Sequence, residues 1–93
     1  MIIGTCTLDI FLPNSTSLKA KRQHLKSLKT RIRNKFNVSV AEIEHNELWQ
    51  RAVLGIAIVS NDTQYAHQVL SKTVNLVENS GAVVLLDYTV EMR

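Results

Sequence analysis

The chain of 93 residues is predicted to form an α+β domain of the ferredoxin-like type, a βαββαβ sandwich with a four-stranded antiparallel sheet and two helices on one face. Three observations carry this. Apolar residues alternate singly near both ends and in the middle, two segments between them repeat apolar residues at helical spacing, and each helical segment is preceded by a cluster of capping residues. The apolar content of 45% and the length fit one core, so residues 1–93 are read as a single domain.

The first strand spans Ile2 to Leu12, with Ile2, Cys6, Leu8, Ile10 and Leu12 on one face and Thr5, Thr7, Asp9 and Phe11 on the other. Asp9 interrupts the apolar run and no basic leader precedes it, so the segment reads as a strand rather than a secretory signal. Pro13 and Asn14 end it, and Ser17 is the expected N-cap of a helix from Leu18 to Lys35. There Leu18, Leu25, Leu28, Ile32 and Phe36 make one apolar stripe, and Asn37 is expected to close the helix in a left-handed turn.

Val38 to Glu44 reads as an edge strand with ragged alternation, His45-Asn46-Glu47 as a turn, and Leu48 to Val59 as a strongly apolar third strand. Ser60-Asn61-Asp62 starts a second helix, on which Tyr65, Ala66, Val69, Leu70, Thr73, Leu76 and Val77 form the stripe, with Gly81 as the stop. Ala82 to Met92 supplies the last strand. Right-handed crossovers put both helices on one side of the sheet and leave the other face bare.

That bare face is expected to present Thr5, Thr7, Asp9, Phe11, Trp49, Arg51, Val53, Ala57, Asp87 and Thr89, an unusually apolar set for a free surface. A homodimer interface centred on Phe11, Trp49, Arg51 and Val53 follows as one expectation. Trp49 and Arg51 lie two apart, at the spacing of a cation–π pair.

Charge is segregated along the chain. Eight of the eleven basic residues fall between Lys19 and Lys35, a stretch without a single Asp or Glu, whereas the remainder holds three basic and eight acidic residues for a net −5. Within the first helix Lys19, Arg22, Lys26, Lys29 and Arg33 succeed one another at intervals of 3, 4, 3 and 4 residues. They form a ridge about 90° round the helix from the apolar stripe and about 20 Å long. A row of cations of that length can follow nucleic-acid phosphates, gaining free energy from released counterions with little sequence preference. Lys and Arg are also good helix formers that solvate easily and suit a helix C-terminus. A merely solubilising helix, however, usually mixes signs to form i,i+4 pairs, and this one has no acid. The same helix could instead dock on the acidic remainder of a second copy.

Other chemistry is sparsely represented. His24, His45 and His67 lie in three separate elements without metal-ligand spacing, Cys6 is alone and on the core face, and neither a metal nor a cofactor is expected. Glu42, Glu44 and Glu47 gather near His45 and Asn46 at the hairpin, where a solvated turn competes with an acid/base group. No phosphate loop, nucleophile elbow or zinc-protease motif occurs, so no catalytic residue is assigned and a non-enzymatic role is expected. The longest apolar run, Ala52 to Val59, is far shorter than the roughly 20 residues of a membrane helix, and no membrane contact is expected. The strand RAVLGIAIV has no central aromatic on which a base could stack, so any RNA contact falls to the helix.

The blocks SLKAKR, RIRNKFNVSVAE, LWQRA and VSND, spread over nearly the whole chain, make it resemble the YlxP-like family of small bacterial domains of unknown function. The resemblance implies a ferredoxin-like fold and a bacterial cytoplasmic location. Such proteins are often encoded beside translation-initiation and ribosome-maturation genes, which implies a link to RNA or the ribosome. The family supplies no catalytic residues to carry over.

Overall fold

A computed structural model describes all residues from Met1 to Arg93. The elements run β1 (Ile2–Phe11), α1 (Leu18–Lys35), β2 (Ser39–Glu44), β3 (Arg51–Ser60), α2 (Thr63–Glu78) and β4 (Val84–Met92). All strand pairs are antiparallel, in the order β2-β3-β1-β4, which is the ferredoxin-like arrangement. The two long strands β1 and β3 lie at the centre, paired from Ile2 opposite Ser60 to Phe11 opposite Arg51.

Strand parity sorts the two sheet faces. Cys6, Leu8 and Ile10 stand opposite Ile56, Leu54 and Ala52, and all six are buried beneath the helices. From the helices, Leu25, Leu28, Ile32, Ala66, Val69, Leu70, Val74 and Val77 join the same cluster, which with Leu12, Val40, Ile58 and Val83 numbers 18 buried residues. Each fully buried Leu, Ile or Val contributes about 1.5–3 kcal/mol by leaving water, so this shared layer is what holds the sheet to the helices.

The helices begin where the capping chemistry puts them. Ser17 Oγ accepts from the Ala20 N–H at 3.0 Å, and Asp62 Oδ1 accepts from the Gln64 N–H at 2.9 Å. Each satisfies a backbone donor that the first turn leaves without a partner. Gly81 adopts φ 78°, the left-handed conformation expected after α2.

The end of α1 differs from expectation. Phe36 caps it in extended conformation (φ −133°), donating its N–H to the Ile32 carbonyl, and Asn37 has no positive φ. The left-handed residue is instead His45 (φ 64°), at the β2–β3 connection. That connection is also longer than the sequence suggests. β3 starts at Arg51, and Leu48, Trp49 and Gln50 belong to the link, where the Gln50 carbonyl accepts from the Leu12 N–H at 2.8 Å. Trp49 therefore does not stand on the strand, and it is 55% exposed.

β2 and β4 are both edge strands, and each carries a register irregularity, between Glu42 and Glu44 in β2 and opposite Asp9/Ile10 in β4. β4 is an edge strand: Tyr88, opposite Leu8, is on the helix-facing side at its rim and Val84, opposite Phe11, is on the uncovered face, so these two and Leu86 are each about half exposed although the segment reads as apolar. No helix is long and apolar enough to cross a membrane.

Candidate nucleic-acid interface

α1 is amphipathic, so burying Leu25, Leu28 and Ile32 fixes which way every other side chain of the helix points. Lys19, Arg22 and Lys26 are exposed on the flank of that stripe, and Lys29 is half-buried beside them. Arg33 is exposed but tethered, because its Nη2 donates to the Val40 carbonyl of β2 at 2.9 Å. None of the five meets a carboxylate. The ion pairs of the molecule are Lys21–Glu42, Arg51–Asp9 and Arg93–Glu91.

The first of these pairs was missed in the sequence. Lys21 is 1% exposed, its Nζ lying 2.7 Å from Glu42 Oε2 and donating to the His45 carbonyl at 2.6 Å. The signal was present in the spacing. The stripe leaves a gap of seven residues between Leu18 and Leu25, and Lys21 fills it, four residues before Leu25 and seven before Leu28. Glu42 is the matching half. It pairs in register with Leu54 on the helix-facing side of β2, where the alternation set by Val40 calls for an apolar residue. The ragged pattern of β2 thus comes from one carboxylate placed inward to meet one lysine. Glu42 consequently leaves the hairpin cluster, and Glu44, His45 and Glu47 remain as exposed residues near the turn.

On the uncovered face, Thr5, Thr7, Asp9 and Phe11 of β1 stand opposite Ala57, Gly55, Val53 and Arg51 of β3, and Thr89 and Asp87 join them from β4. Arg51 does not turn to Trp49. Its Nη2 donates to both carboxylate oxygens of Asp9 at 2.9 Å, which neutralises two charges near one end of the face. Phe11 and Arg51 are half-buried, and Val53 is 9% exposed, so of the four residues expected at an interface only Trp49 is fully open, and it lies off the sheet. Beside them is a shallow depression of about 380 Å³ over Gly55 and Ala57. Ile43 closes one side of it, near enough that a Cβ at Gly55 would come within 3.0 Å of Ile43 Cγ2.

Cys6 lies in the core, 1% exposed, and burial pushes its thiol up to about 11 from an ordinary 9.0. A thiol so poorly ionised is not a nucleophile at neutral pH. His24, His45 and His67 remain apart, and no three His, Cys, Asp or Glu side chains converge as a metal site would require.

A profile of the family described as "Protein of unknown function (DUF503)" matches residues 3–90. The chain is 36% identical over 78 residues to "Uncharacterized protein YlxP" of Bacillus subtilis (strain 168), a match covering 84% of this chain and 85% of that protein. Among solved structures, the "De novo designed protein Foldit4" aligns over 100% of this chain and 97% of its own with a TM-score of 0.56 and 9% identity, a likeness of backbone fold alone. The profile covers nearly every residue and the bacterial relative is similar over most of the chain, so the chain belongs to the DUF503 family.

Proposed function

We propose that the chain is a non-enzymatic cytoplasmic accessory protein that contacts the backbone of structured RNA, or a ribosomal surface, through Lys19, Arg22, Lys26 and Lys29, with Arg33 at the end of the row. The observation that supports this reading is that these cations share one flank of α1 and none is engaged by a carboxylate, although the rest of the chain carries a net −5. A carboxylate within reach would neutralise a lysine and leave no counterion to release. Unpaired cations spaced along about 20 Å of helix keep their counterions until phosphates displace them. Arg33, already committed to the Val40 carbonyl, contributes least.

The experiment replaces Arg22, Lys26 and Lys29 together by Gln and follows affinity for structured RNA between about 50 and 200 mM salt. The wild type should weaken steeply with salt, and the variant should bind more weakly with a slope shallower by about two to three units. Equal affinity, or wild-type binding indifferent to salt, removes the reading.

A second reading, a protein-interaction module that homodimerises through the uncovered sheet face, is favoured by the apolar depression over Gly55 and Ala57 and by the internal neutralisation of Asp9 and Arg51 beside it. Light scattering across concentration tests it. A dimer that the Ala57→Lys variant converts to monomer supports this reading, and a wild type that stays monomeric at high concentration counts against it.

A further inference from the structure

The second half of α1 carries cations on its other flank too, and these face α2. A cleft of about 870 Å³ lies there, within the roughly 300–1,000 Å³ that small-ligand sites usually occupy. Arg31 and Lys35 of α1 and Lys72 of α2 line it, and no acidic residue does. None of the three makes an ion pair or a side-chain hydrogen bond inside the protein. The apolar part of the lining is Phe36 and Leu76, both half-buried. The rest of the lining is Asn34 and Asn75, whose side-chain amides have no partner in the protein, and Asn79, whose amide donates to the Asn75 backbone carbonyl at 2.9 Å.

The helix dipole does not account for this grouping. A C-terminus carries about half a negative charge and attracts cations within its last turn. That rationalises Lys35 but not Lys72, since α2 has no basic residue in its last turn. Phe36 and Asn79, the C-caps of the two helices, both line the cleft, so two helix ends bring together about one negative charge, and three full cations leave a surplus of about two positive charges that favours an anion there.

We propose that this cleft is a nucleoside-phosphate site, in which Arg31, Lys35 and Lys72 hold the phosphate, Phe36 and Leu76 carry the face of the base, and the Asn34 and Asn75 amides meet its edge. Guanidinium and ammonium groups bind phosphate through charge-assisted hydrogen bonds. An aromatic ring beside an aliphatic side chain offers a base a stacking surface. An amide, with one donor and one acceptor side by side, matches the adenine edge better than other bases. The site shares no residue with the ridge of Lys19 to Arg33 and does not depend on it.

The test titrates the isotope-labelled full chain, observed by NMR, with AMP, adenosine, inorganic pyrophosphate and hexa-adenylate RNA in separate series. AMP should shift the signals of Phe36, Leu76 and the Asn34 and Asn75 side-chain amides, with adenosine and pyrophosphate each binding about tenfold more weakly because each lacks half of the contacts. The Lys35→Gln/Lys72→Gln variant should lose about tenfold in AMP affinity at unchanged thermal stability. The Arg22→Gln/Lys26→Gln/Lys29→Gln variant should bind AMP as the wild type does, which separates failure here from failure of the ridge. In the Arg22→Gln/Lys26→Gln/Lys29→Gln variant, read at the signals of Phe36 and Leu76, tighter binding of hexa-adenylate than of AMP assigns the site to an unpaired nucleotide of RNA, and the reverse assigns it to a free nucleotide. The proposal is overturned if AMP shifts no cleft signal, or if pyrophosphate alone binds as well as AMP.

Discussion

Lys21 and Arg22 are neighbours on one helix, alike in charge, and the fold uses them in opposite ways. Lys21 points beneath the helix, fully enclosed, and is matched by Glu42 and the His45 carbonyl. Arg22, about 100° further round, stands in solvent without an acid within reach. The first ties α1 to the far end of β2 and to the backbone carbonyl of His45. The second is free to act on something outside the molecule. A run of basic residues is therefore two populations, and the helical angle relative to the apolar stripe separates them.

The contrast is most sharply tested by removing Lys21. Lys21→Ala leaves a carboxylate partly enclosed and a turn carbonyl without its donor, and should cost about 3–5 kcal/mol in urea unfolding. Lys21→Met combined with Glu42→Leu should recover most of that loss, because a buried pair replaced by apolar groups of similar volume is often neutral. If the double variant is no better than the single one, the pair is more than a compensated charge. The Asp9–Arg51 pair is the intermediate case, with side chains 33% and 40% exposed, and Asp9→Asn should cost no more than about 1 kcal/mol. At the far end, Arg22→Gln with Lys26→Gln and Lys29→Gln should change stability by no more than about 0.5 kcal/mol per site while RNA affinity falls. A large stability loss there would mean that the ridge is structural and would abolish the distinction.

These unfolding measurements belong below pH 9. An unfolded Cys6 ionises near its ordinary 9.0, whereas the buried thiol holds its proton up to about 11. Between those values the unfolded chain has lost a proton that the folded chain keeps, so stability falls as pH rises through the window and levels off above it. Cys6→Ala should abolish that decline. Iodoacetamide should modify Cys6 of the native chain at neutral pH only at the rate at which the core opens, a rate that Lys21→Ala should increase.

Much of the architecture was readable because it rests on short-range regularities. Leu18 to Lys35 is bounded by Ser17 in both the pattern and the structure, and the alternation of β1 sorted Cys6, Leu8 and Ile10 from Thr7 and Asp9 correctly. The errors fall where a residue answers to a partner distant in sequence. Leu48 and Trp49 have strand-like composition, yet Lys21 and the Leu12 N–H fix the chain around them as a long connection. Arg51 takes Asp9 across the β1–β3 ladder rather than its near neighbour Trp49. The cleft residues Arg31, Asn34, Lys72 and Asn75 fall on two helices some 40 positions apart, and no spacing rule relates them.

By itself the sequence determined the periods, the caps and the one-sided charge of α1, because each depends on residues within a few positions of one another and on backbone geometry that is the same in every protein. The tertiary structure decided which cations are spent inside, which strand face stays open and where two helices leave a cationic cleft. Those outcomes follow from packing α1 against β2 and α2 against the central strands, and packing brings together groups whose separation along the chain carries no signal of their meeting.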